Sequence, residues 1–499
     1  MPIVPPESAS ATAKRSVAEQ LNQRIGWALP ALAALAFAIF RLPELTRSSL
    51  WYDELFSMGV AELPLADALR RIVADHTNPP LFYLLLKGWM AIGGDSDHWV
   101  RLLPCLFSML LGAALVWLAR EVRTGTRAGL LAVALAAASP LSVDLATEVR
   151  GYSLLSLLAC LSLAAVLHDR ARRTRETFAL LTLINIALVH THYFGWLTVG
   201  AELVTAMLVW PRDDARRVGR STLFTAIAFL PWASAVLYHA TTEVAPLRNV
   251  AWIAAPTVMD PLWLFRDLTG RSGVAVADLG WIAFASVALI ALAVTAVRRR
   301  GMPPAALQEA SKPPVAGTLP LLAAAGFVAP VAVFAVSSGG AQSLWVQRYL
   351  LGAAAPVALL TGIAIAALPP RRLSVAAIAG FLWVGVACAA LPQRAPTKFD
   401  WRRFVTRLER ASVGGPRDVF ALEAFTGAPL VRYATPGMRV AVVRSLYQLP
   451  SGEFWLVYRR DSFATGTATD RLRAMGYRVV TALSAETAGQ RIAAVRIVR

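Results

Sequence analysis

The chain has 499 residues, of which 57% are hydrophobic and 16% charged, and its mean hydropathy is +0.54. An ordinary soluble protein of this length, which would divide into several domains with charged surfaces, is therefore excluded. The net charge of +18 is carried almost wholly by arginines in short clusters between apolar segments. This pattern is typical of membrane proteins, so nucleic-acid binding is not expected.

Apolar segments of about 20 residues, the length that crosses a bilayer core, recur along most of the chain. Residues 1–24 precede them and form a leader rich in Ala, Pro and Ser, which we expect to be disordered and cytoplasmic. All three cysteines lie inside apolar segments, so neither a disulfide framework nor a cysteine metal site is expected. The predicted spans are 25–41, 100–119, 128–145, 153–168, 177–193, 194–210, 221–238, 276–297, 319–337, 349–368 and 373–391.

Six basic clusters lie between alternate pairs of these segments, and positive loops stay in the cytoplasm. With the N-terminus inside, all six clusters are cytoplasmic and about 11 transmembrane helices result. Residues 25–391 then form the membrane domain, with long outer loops at 42–99 and 239–275. The apolar stretch 80–92 is short and carries Lys87, and a span there would invert every later cluster. We therefore predict a helix at the outer interface in this stretch.

The sequence changes character in residues 392–499, where short elements alternate. This alternation predicts a small α/β domain outside the membrane, on the extracytoplasmic side, and the domain carries no glycine-rich phosphate loop. The predicted helices are 401–411, 429–434 and 469–475, and the predicted strands are 418–424, 438–443, 454–458, 478–483 and 492–498.

Asp53 and Glu54 follow the first span as adjacent carboxylates among apolar and aromatic residues. One interpretation is a solvated loop in which Asp53 caps a helix. The other is that Asp53 acts as a general base or as a ligand of a divalent cation, Mg or Mn. Glycosyl transfer requires a base for the acceptor hydroxyl and positive charge to stabilise the departing phosphate.

Glu148, Arg150 and Tyr152 lie at the outer end of the third predicted span, just after Asp144. Ionisable groups at membrane depth are costly, which makes them functional candidates. They can form an ion pair that stabilises a tight turn. Alternatively, Glu148 shares a site with Asp53 while the planar guanidinium of Arg150 binds a lipid phosphate.

Three weaker signals also fall on the predicted outer face. His76 and Asn78 stand at a rigid corner before a Pro-Pro pair that opens a helix. His192 and Tyr193 end the fifth span, where His190 and His192 are spaced poorly for a metal pair on a helix. Arg348 begins the tenth span, where it either snorkels or binds phosphate.

Taken in order, these motifs resemble the GT-C class of membrane glycosyltransferases, and within it bacterial proteins similar to protein O-mannosyltransferases and to the lipid A aminoarabinose transferase. The resemblance covers roughly residues 25–410. The residues that carry it are Asp53-Glu54, Asn78-Pro79-Pro80-Leu81, Arg101-Leu102-Leu103-Pro104, Glu148-Val149-Arg150-Gly151-Tyr152, His192-Tyr193, Arg348-Tyr349 and Asp400-Trp401-Arg402.

The resemblance implies an enzyme of the bacterial cytoplasmic (inner) membrane that uses a polyprenyl-phosphate-linked sugar donor from the outer leaflet, with inversion. The acceptor would be a lipid, a glycan or a protein, and membrane lipids surround the chain. Asp53 would be the catalytic base, or the carboxylate that orients the acceptor and a metal, with Glu54 and Glu148 as supporting acids. The implied phosphate-binding residues are Arg150, Arg348 and Lys87, and the implied substrate-binding residues are His76, Asn78, Tyr152, His192 and Tyr193.

Two other functions stay open at this point. A transporter or lipid flippase predicts charged residues near the bilayer midplane and broken helices in paired repeats, and no repeat is visible in the sequence. A non-catalytic scaffold that presents the C-terminal domain to a partner predicts no requirement for Asp53.

Overall fold

The computed structural model describes residues 28–242, 253–300, 317–340, 342–369, 398–460, 467–487 and 490–499, with a few positions between 371 and 383. The described chain is a helical membrane domain followed by a small domain built on a sheet. The membrane-domain helices are α1 (Ala28–Leu45), α2 (Tyr52–Glu62), α3 (Leu65–Asp75), α4 (Leu81–Gly93), α5 (Asp97–Val122), α6 (Thr126–Ala138), α7 (Pro140–Asp144), α8 (Tyr152–Arg172), α9 (Arg175–Thr191), α10 (Gly195–Val209), α11 (Arg212–Thr242), α12 (Asp260–Thr269), α13 (Ala275–Arg300), α14 (Thr318–Gly339) and α15 (Gln347–Ala366).

Seven of the described helices, α1, α5, α8, α11, α13, α14 and α15, are long and apolar enough to cross a membrane. Helices α8 and α15 lie at the centre of the bundle, because 89% and 83% of their most apolar windows are buried inside the protein, against 17% for α11. A multi-pass, mostly helical membrane fold is thereby confirmed. The count of 11 spans stays a prediction, and most of the last predicted span, 373–391, lies outside the described residues.

The third predicted span is not one helix. Helix α6 ends at Ala138, and the short α7 starts afresh at Pro140. Ser139 causes the break: its hydroxyl accepts a hydrogen bond from the backbone N–H of Ser142, which caps α7, and donates to the carbonyl of Asp267 at 3.1 Å. The chain then continues without regular helix to Tyr152 while staying buried. Irregular backbone at such a depth is tolerated where protein surrounds it or where it lines a cavity.

The first predicted outer loop, 42–99, is structured as expected and contains α2, α3 and α4. Helix α4 occupies the stretch predicted as an interfacial helix and buries Phe82 and Leu86 in the same apolar cluster as Val100 of α5. The second predicted loop, 239–275, contains the end of α11, the helix α12 and the start of α13, and residues 243–252 lie outside the described chain.

The C-terminal domain is a five-stranded sheet with strand order β2-β1-β3-β5-β4, in which β1, β2 and β3 are parallel and β5 is antiparallel to both of its neighbours, β3 and β4. Every predicted element occurs in the predicted order. The helix predicted at 429–434 begins earlier, at Ala424, and Pro429 lies inside it. The elements are α16 (Trp401–Ala411), β1 (Asp418–Leu422), α17 (Ala424–Tyr433), β2 (Arg439–Val443), β3 (Glu453–Arg459), α18 (Thr467–Ala474), β4 (Arg478–Thr487) and β5 (Gln490–Val498).

Two contacts dock this domain against the segment that precedes α2. The buried hydroxyl of Ser49 donates to the carbonyl of Phe399 at 3.0 Å and accepts from the backbone N–H of Trp401 at 2.7 Å. The phenol of Tyr433 accepts from the backbone N–H of Leu50 at 2.7 Å and donates to Asp97 at 2.6 Å. The C-terminal domain is therefore tied to the residues immediately before Trp51 and Asp53.

Arginines add a second set of docking contacts around the start of α5. Arg402 lies 2.8 Å from the carboxylate of Asp97, and Arg432 lies 2.7 Å from that of Asp95 and 3.1 Å from that of Asp97. Asp97 thus accepts from both arginines and from Tyr433, so one carboxylate collects the three side chains that hold the domain in place.

Candidate active site

Glu54 is fully buried at the first turn of α2, where it holds together three separate segments. Its carboxylate accepts from the backbone N–H groups of Trp51 and Val149, each at 3.2 Å, and from the guanidinium of Arg101 at 3.0 and 3.2 Å. Burial raises the pKa of Glu54, but Arg101 and Lys398 outweigh that effect and hold the pKa below its usual value. The predicted role of Glu54 as a supporting acid stays a prediction; in the structure its carboxylate accepts four internal hydrogen bonds and positions its neighbours.

The position of Asp53 follows from this anchoring. The carbonyls of Ser48 and Ser49 also accept from Arg101, so the chain leading into α2 is fixed from both sides. Asp53 itself stays accessible, with its side chain 23% exposed, and its carboxylate lies 3.7 Å from the guanidinium of Arg348. The structure thus places a solvent-accessible carboxylate beside a cation from a distant part of the chain.

Glu148 lies in the irregular segment between α7 and α8 and is 3% exposed. One of its oxygens lies 3.4 Å from the ammonium of Lys398, and the other, Oε1, is buried without a hydrogen-bond partner. Buried carboxylate oxygens are normally satisfied, and an unsatisfied one requires an explanation. Because Glu148 lines a cavity, a substrate hydroxyl is a suitable missing donor.

Arg150 is buried two residues further on. Its guanidinium donates to the phenol of Tyr83 at 3.0 Å and approaches the hydroxyl of Ser57 at 3.5 Å. Burial lowers the pKa of Arg150, yet Tyr83 and the other nearby acidic groups, Asp53 among them, hold it above its usual value. Arg150 therefore contributes fixed positive charge behind Asp53.

A cavity of about 610 Å³ lies between the membrane domain and the C-terminal domain. Of the predicted site residues, Glu148 and Arg348 line it directly, and Asp53 adjoins it through Arg348. Other lining side chains are Trp51, Leu141, Asp144, Leu145, Ile253, Pro256, Asp260, Trp345, Gln347, Lys398 and Gln490. The cavity combines carboxylates, two cations and two indole rings, which suits a ligand that carries both hydroxyl groups and a phosphate.

An aromatic group surrounds Arg348 and contains two of the predicted substrate-binding residues. The guanidinium lies 5.7 Å from the centroid of Trp51 and 5.8 Å from that of Tyr152, within the range of cation–π attraction. The ring of His192 lies 5.9 Å from Tyr152 and 5.0 Å from Tyr349. Tyr152 and His192 are almost fully buried, so they orient the Arg348 side chain from behind.

Two predicted site residues, Lys87 and Tyr193, have partners outside the cavity, and their predicted roles stay predictions. The ammonium of Lys87 donates to the carbonyls of Ala61 and Leu63 at 3.0 and 2.6 Å, so it satisfies the C-terminal end of α2. Tyr193 packs in a separate apolar cluster and accepts a hydrogen bond from Trp232 of α11 at 3.3 Å. The sequence predicted that both residues lie on the outer face, but it could not indicate these partners.

His76 and Asn78 form the corner that the Pro-Pro pair predicts. His76 ends α3 in the left-handed backbone region with φ of 44°, and its ring lies 6.4 Å from that of His239. The amide of Asn78 donates to the hydroxyl of Thr77 at 3.1 Å. Neither side chain lines the cavity, so a substrate contact at these residues stays a prediction.

A divalent cation at Asp53 is also untested. Among the described residues, no group of three or more His, Cys, Asp or Glu side chains is arranged to hold a metal ion. The neighbour of Asp53 at ion-pair distance is Arg348, which can supply positive charge directly. No step proposed below uses a metal.

Sequence reasoning missed several lining residues, among them Trp345, Asp260, Lys398 and Gln490. Lys398 carried a usable signal, because it stands two positions before the Asp400-Trp401-Arg402 motif. Asp260 is the first residue of α12, where its carboxylate accepts from the hydroxyl of Thr257 at 2.8 Å. Gln490 begins β5 and gave no signal, since only the folded C-terminal domain brings it to the cavity.

Comparisons with known proteins give a family match and similar folds. The family model of dolichyl-phosphate-mannose-protein mannosyltransferases matches residues 77–239. No curated protein matches the chain in sequence. ArnT from Cupriavidus metallidurans has a similar fold, with TM-scores of 0.60 in the apo state and 0.56 bound to undecaprenyl phosphate. Both structures are 14% identical to this chain; they cover 95% and 94% of it, and 98% of ArnT in each case.

A more distant likeness is found to the Archaeoglobus fulgidus oligosaccharyltransferase in complex with Zn and sulfate. Its TM-score is 0.52 and its identity 13%, over 90% of this chain and 69% of that chain. These structural likenesses establish the fold, and the family match covers the part of the chain from the Asn78 corner to the end of α11.

Proposed function

We propose that this chain, which has the GT-C fold and matches the mannosyltransferase family model over residues 77–239, is a membrane glycosyltransferase that uses a polyprenyl-phosphate-linked sugar. Three points come from the predicted topology and the resemblance: transfer on the outer face of a bacterial cytoplasmic membrane, inversion at the anomeric carbon, and a lipid, glycan or protein acceptor. The complex of ArnT with undecaprenyl phosphate supports the choice of carrier.

The observation that carries this proposal is the distance of 3.7 Å between the accessible carboxylate of Asp53 and the guanidinium of Arg348 beside the cavity. Transfer from a sugar phosphate requires a base for the acceptor hydroxyl and a cation for the leaving phosphate at the same centre. Asp53 and Arg348 supply both within one substrate's reach.

The reaction proceeds by direct displacement. Asp53 takes the proton of the acceptor hydroxyl, whose oxygen attacks the anomeric carbon of the sugar. The bond between that carbon and the phosphate oxygen breaks, and the polyprenyl phosphate leaves with the electron pair, stabilised by Arg348 and by the buried charge of Arg150. A single base is sufficient, because inversion by one displacement needs no second nucleophile. Glu148 accepts a hydrogen bond from a sugar hydroxyl through its unpartnered oxygen.

Substitution of Asp53 tests the proposal. Asp53→Asn keeps the size of the side chain but removes the basic carboxylate, and we expect transfer to fall by about 10²-fold or more. Cells that express the variant should accumulate a polyprenyl-phosphate-linked sugar and lose that sugar from surface glycans, lipids or proteins. Mass spectrometry of lipid extracts and surface fractions measures both changes.

Asp67→Asn is a matched control, because Asp67 of α3 is an exposed carboxylate that pairs with Arg70 and does not line the cavity. Near-normal transfer by Asp53→Asn at equal membrane abundance would remove Asp53 from the chemistry. Loss of a transporter or flippase would instead change how the intact lipid-linked sugar is distributed between the two leaflets. Each lipid-linked sugar that reached the outer leaflet would still be converted to surface product.

A further inference from the structure

Lys398 joins the cavity to the C-terminal domain. It immediately precedes Phe399, whose carbonyl accepts from Ser49, and its own side chain is 10% exposed. Its ammonium lies 3.4 Å from the nearer oxygen of Glu54 and 3.4 Å from that of Glu148, and 5.8 Å from the ring centroid of Trp51. A single cation thus bridges two buried carboxylates from different segments.

The two carboxylates differ in how far they depend on Lys398. Glu54 already has Arg101 as a bidentate partner and two backbone donors. For Glu148, Lys398 is the cation at ion-pair distance within the described part of the chain, and its second oxygen has no partner. A buried charge without a counter-ion is strongly destabilising, so loss of the Lys398 ammonium should destabilise this site.

We propose that Lys398 is a positioning residue that holds the carboxyl group of Glu148 in the cavity, so that the C-terminal domain completes the active site instead of accompanying it. Asp144 and Asp260 line the same cavity with like charge, and Tyr152 is neutral. Arg348 also acts electrostatically on Glu148, but its guanidinium lies 3.7 Å from Asp53, whereas the ammonium of Lys398 lies 3.4 Å from Glu148.

Thermal unfolding of the full-length purified chain tests the proposal. Lys398→Met removes the ammonium and retains most of the side-chain volume. At pH 8 we expect the midpoint of thermal unfolding to fall by on the order of 5 °C.

A double substitution isolates the pair. In a Glu148→Gln background the buried charge is absent, so Lys398→Met should change the midpoint little. Lys398→Arg should restore the wild-type midpoint. Arg439→Gln is the matched control, since Arg439 forms an exposed ion pair with Asp418 in the same domain. An equal effect of Lys398→Met with and without Glu148 would overturn the proposal.

A second measurement, which rests on the proposed function, asks whether the pair matters for transfer. Cells that carry Lys398→Met should accumulate the polyprenyl-phosphate-linked sugar as a result of an approximately tenfold loss of turnover, whereas Lys398→Arg should keep most of the turnover. If the unfolding data show the coupling between Lys398 and Glu148 but no sugar accumulates even with Asp53→Asn, the proposed function fails while the Lys398–Glu148 pair stands. If Asp53→Asn accumulates the sugar and Lys398→Met does not, the positioning role is refuted.

Discussion

A buried ring of hydrogen bonds in the membrane domain predicts the protonation state of Glu202. Glu202 of α10, Ser162 of α8 and Asn185 of α9 contact one another, and all three are almost fully buried. The hydroxyl of Ser162 lies 2.5 Å from both Glu202 Oε1 and Asn185 Oδ1, and the amide of Asn185 donates to Glu202 Oε2 at 3.0 Å.

Donor counting shows that this ring needs one more hydrogen than an ionised glutamate provides. Ser162 has a single hydroxyl proton and contacts two oxygens. If that proton goes to Asn185, Glu202 must donate its own proton to Ser162. Exchanging the amide oxygen and nitrogen of Asn185 only moves the deficit to another oxygen pair. Glu202 is therefore a neutral carboxylic acid that links three helices.

Glu202→Gln should accordingly be tolerated. The glutamine amide can donate to Ser162 while its oxygen accepts from Asn185, so all three hydrogen bonds are kept and the stability change should stay within about 0.5 kcal/mol. Glu202→Ala leaves the two partners unsatisfied, at about 1–3 kcal/mol for each group, and should lose about 2–6 kcal/mol in total.

Thermal or denaturant unfolding of the purified variants in one detergent, followed by tryptophan fluorescence, measures the difference. Glu176→Gln, at the exposed start of α9, controls for the general effect of replacing a carboxyl by an amide. Equal destabilisation by Glu202→Gln and Glu202→Ala would mean that Glu202 is ionised and that the donor count is wrong.

Two further substitutions test how Asp53 is positioned. Arg101→Met strands the carboxylate of Glu54 and should cost about 3–5 kcal/mol at pH 7. Because the wild-type pKa of Glu54 is lowered, its contribution to stability is present above pH of about 4.3 and is lost on acidification, whereas acid should reduce the destabilisation of the variant. Unfolding scans from pH 4 to 8 measure this difference, and parallel curves for the two proteins would refute the reasoning. Ser49→Ala removes both hydrogen bonds of the Ser49 hydroxyl, leaving the N–H of Trp401 only the carbonyl of Phe399 at 3.1 Å, and we expect about 1–3 kcal/mol of destabilisation and faster proteolysis of the C-terminal domain. An unchanged cleavage rate would show that Ser49 does not hold the domain.

The large-scale architecture could be predicted because it depends on local patterns. Apolar length located the long helices, and the alternation of short elements located those of the C-terminal domain. The break between α6 and α7 at Ser139 was missed, because the apolar pattern predicts one continuous helix. It does not indicate that the serine hydroxyl donates to the carbonyl of Asp267. Hydropathy reports which residues are buried, and it does not report what they contact.

The candidate site was predicted only in part for the same reason. Asp53, Glu148 and Arg348 were found from polar residues in an apolar context, and the structure brings them together. The internal contacts of Glu54 were missed because sequence cannot distinguish a carboxylate facing a substrate from one that accepts four internal hydrogen bonds. Lys398 was missed because its partners lie about 250 and 340 positions earlier in the chain.

The hydrogen bonds between Ser49 and residues 399 and 401 join parts of the chain that are synthesised at different times. Ser49 is made 350 and 352 positions before its two partners. A nascent chain arrested before residue 398 lacks both the hydrogen bonds that hold the Asp53 segment and the lysine beside Glu148. The surroundings of Asp53 and Glu148 are therefore completed late in translation, long after both residues have been made.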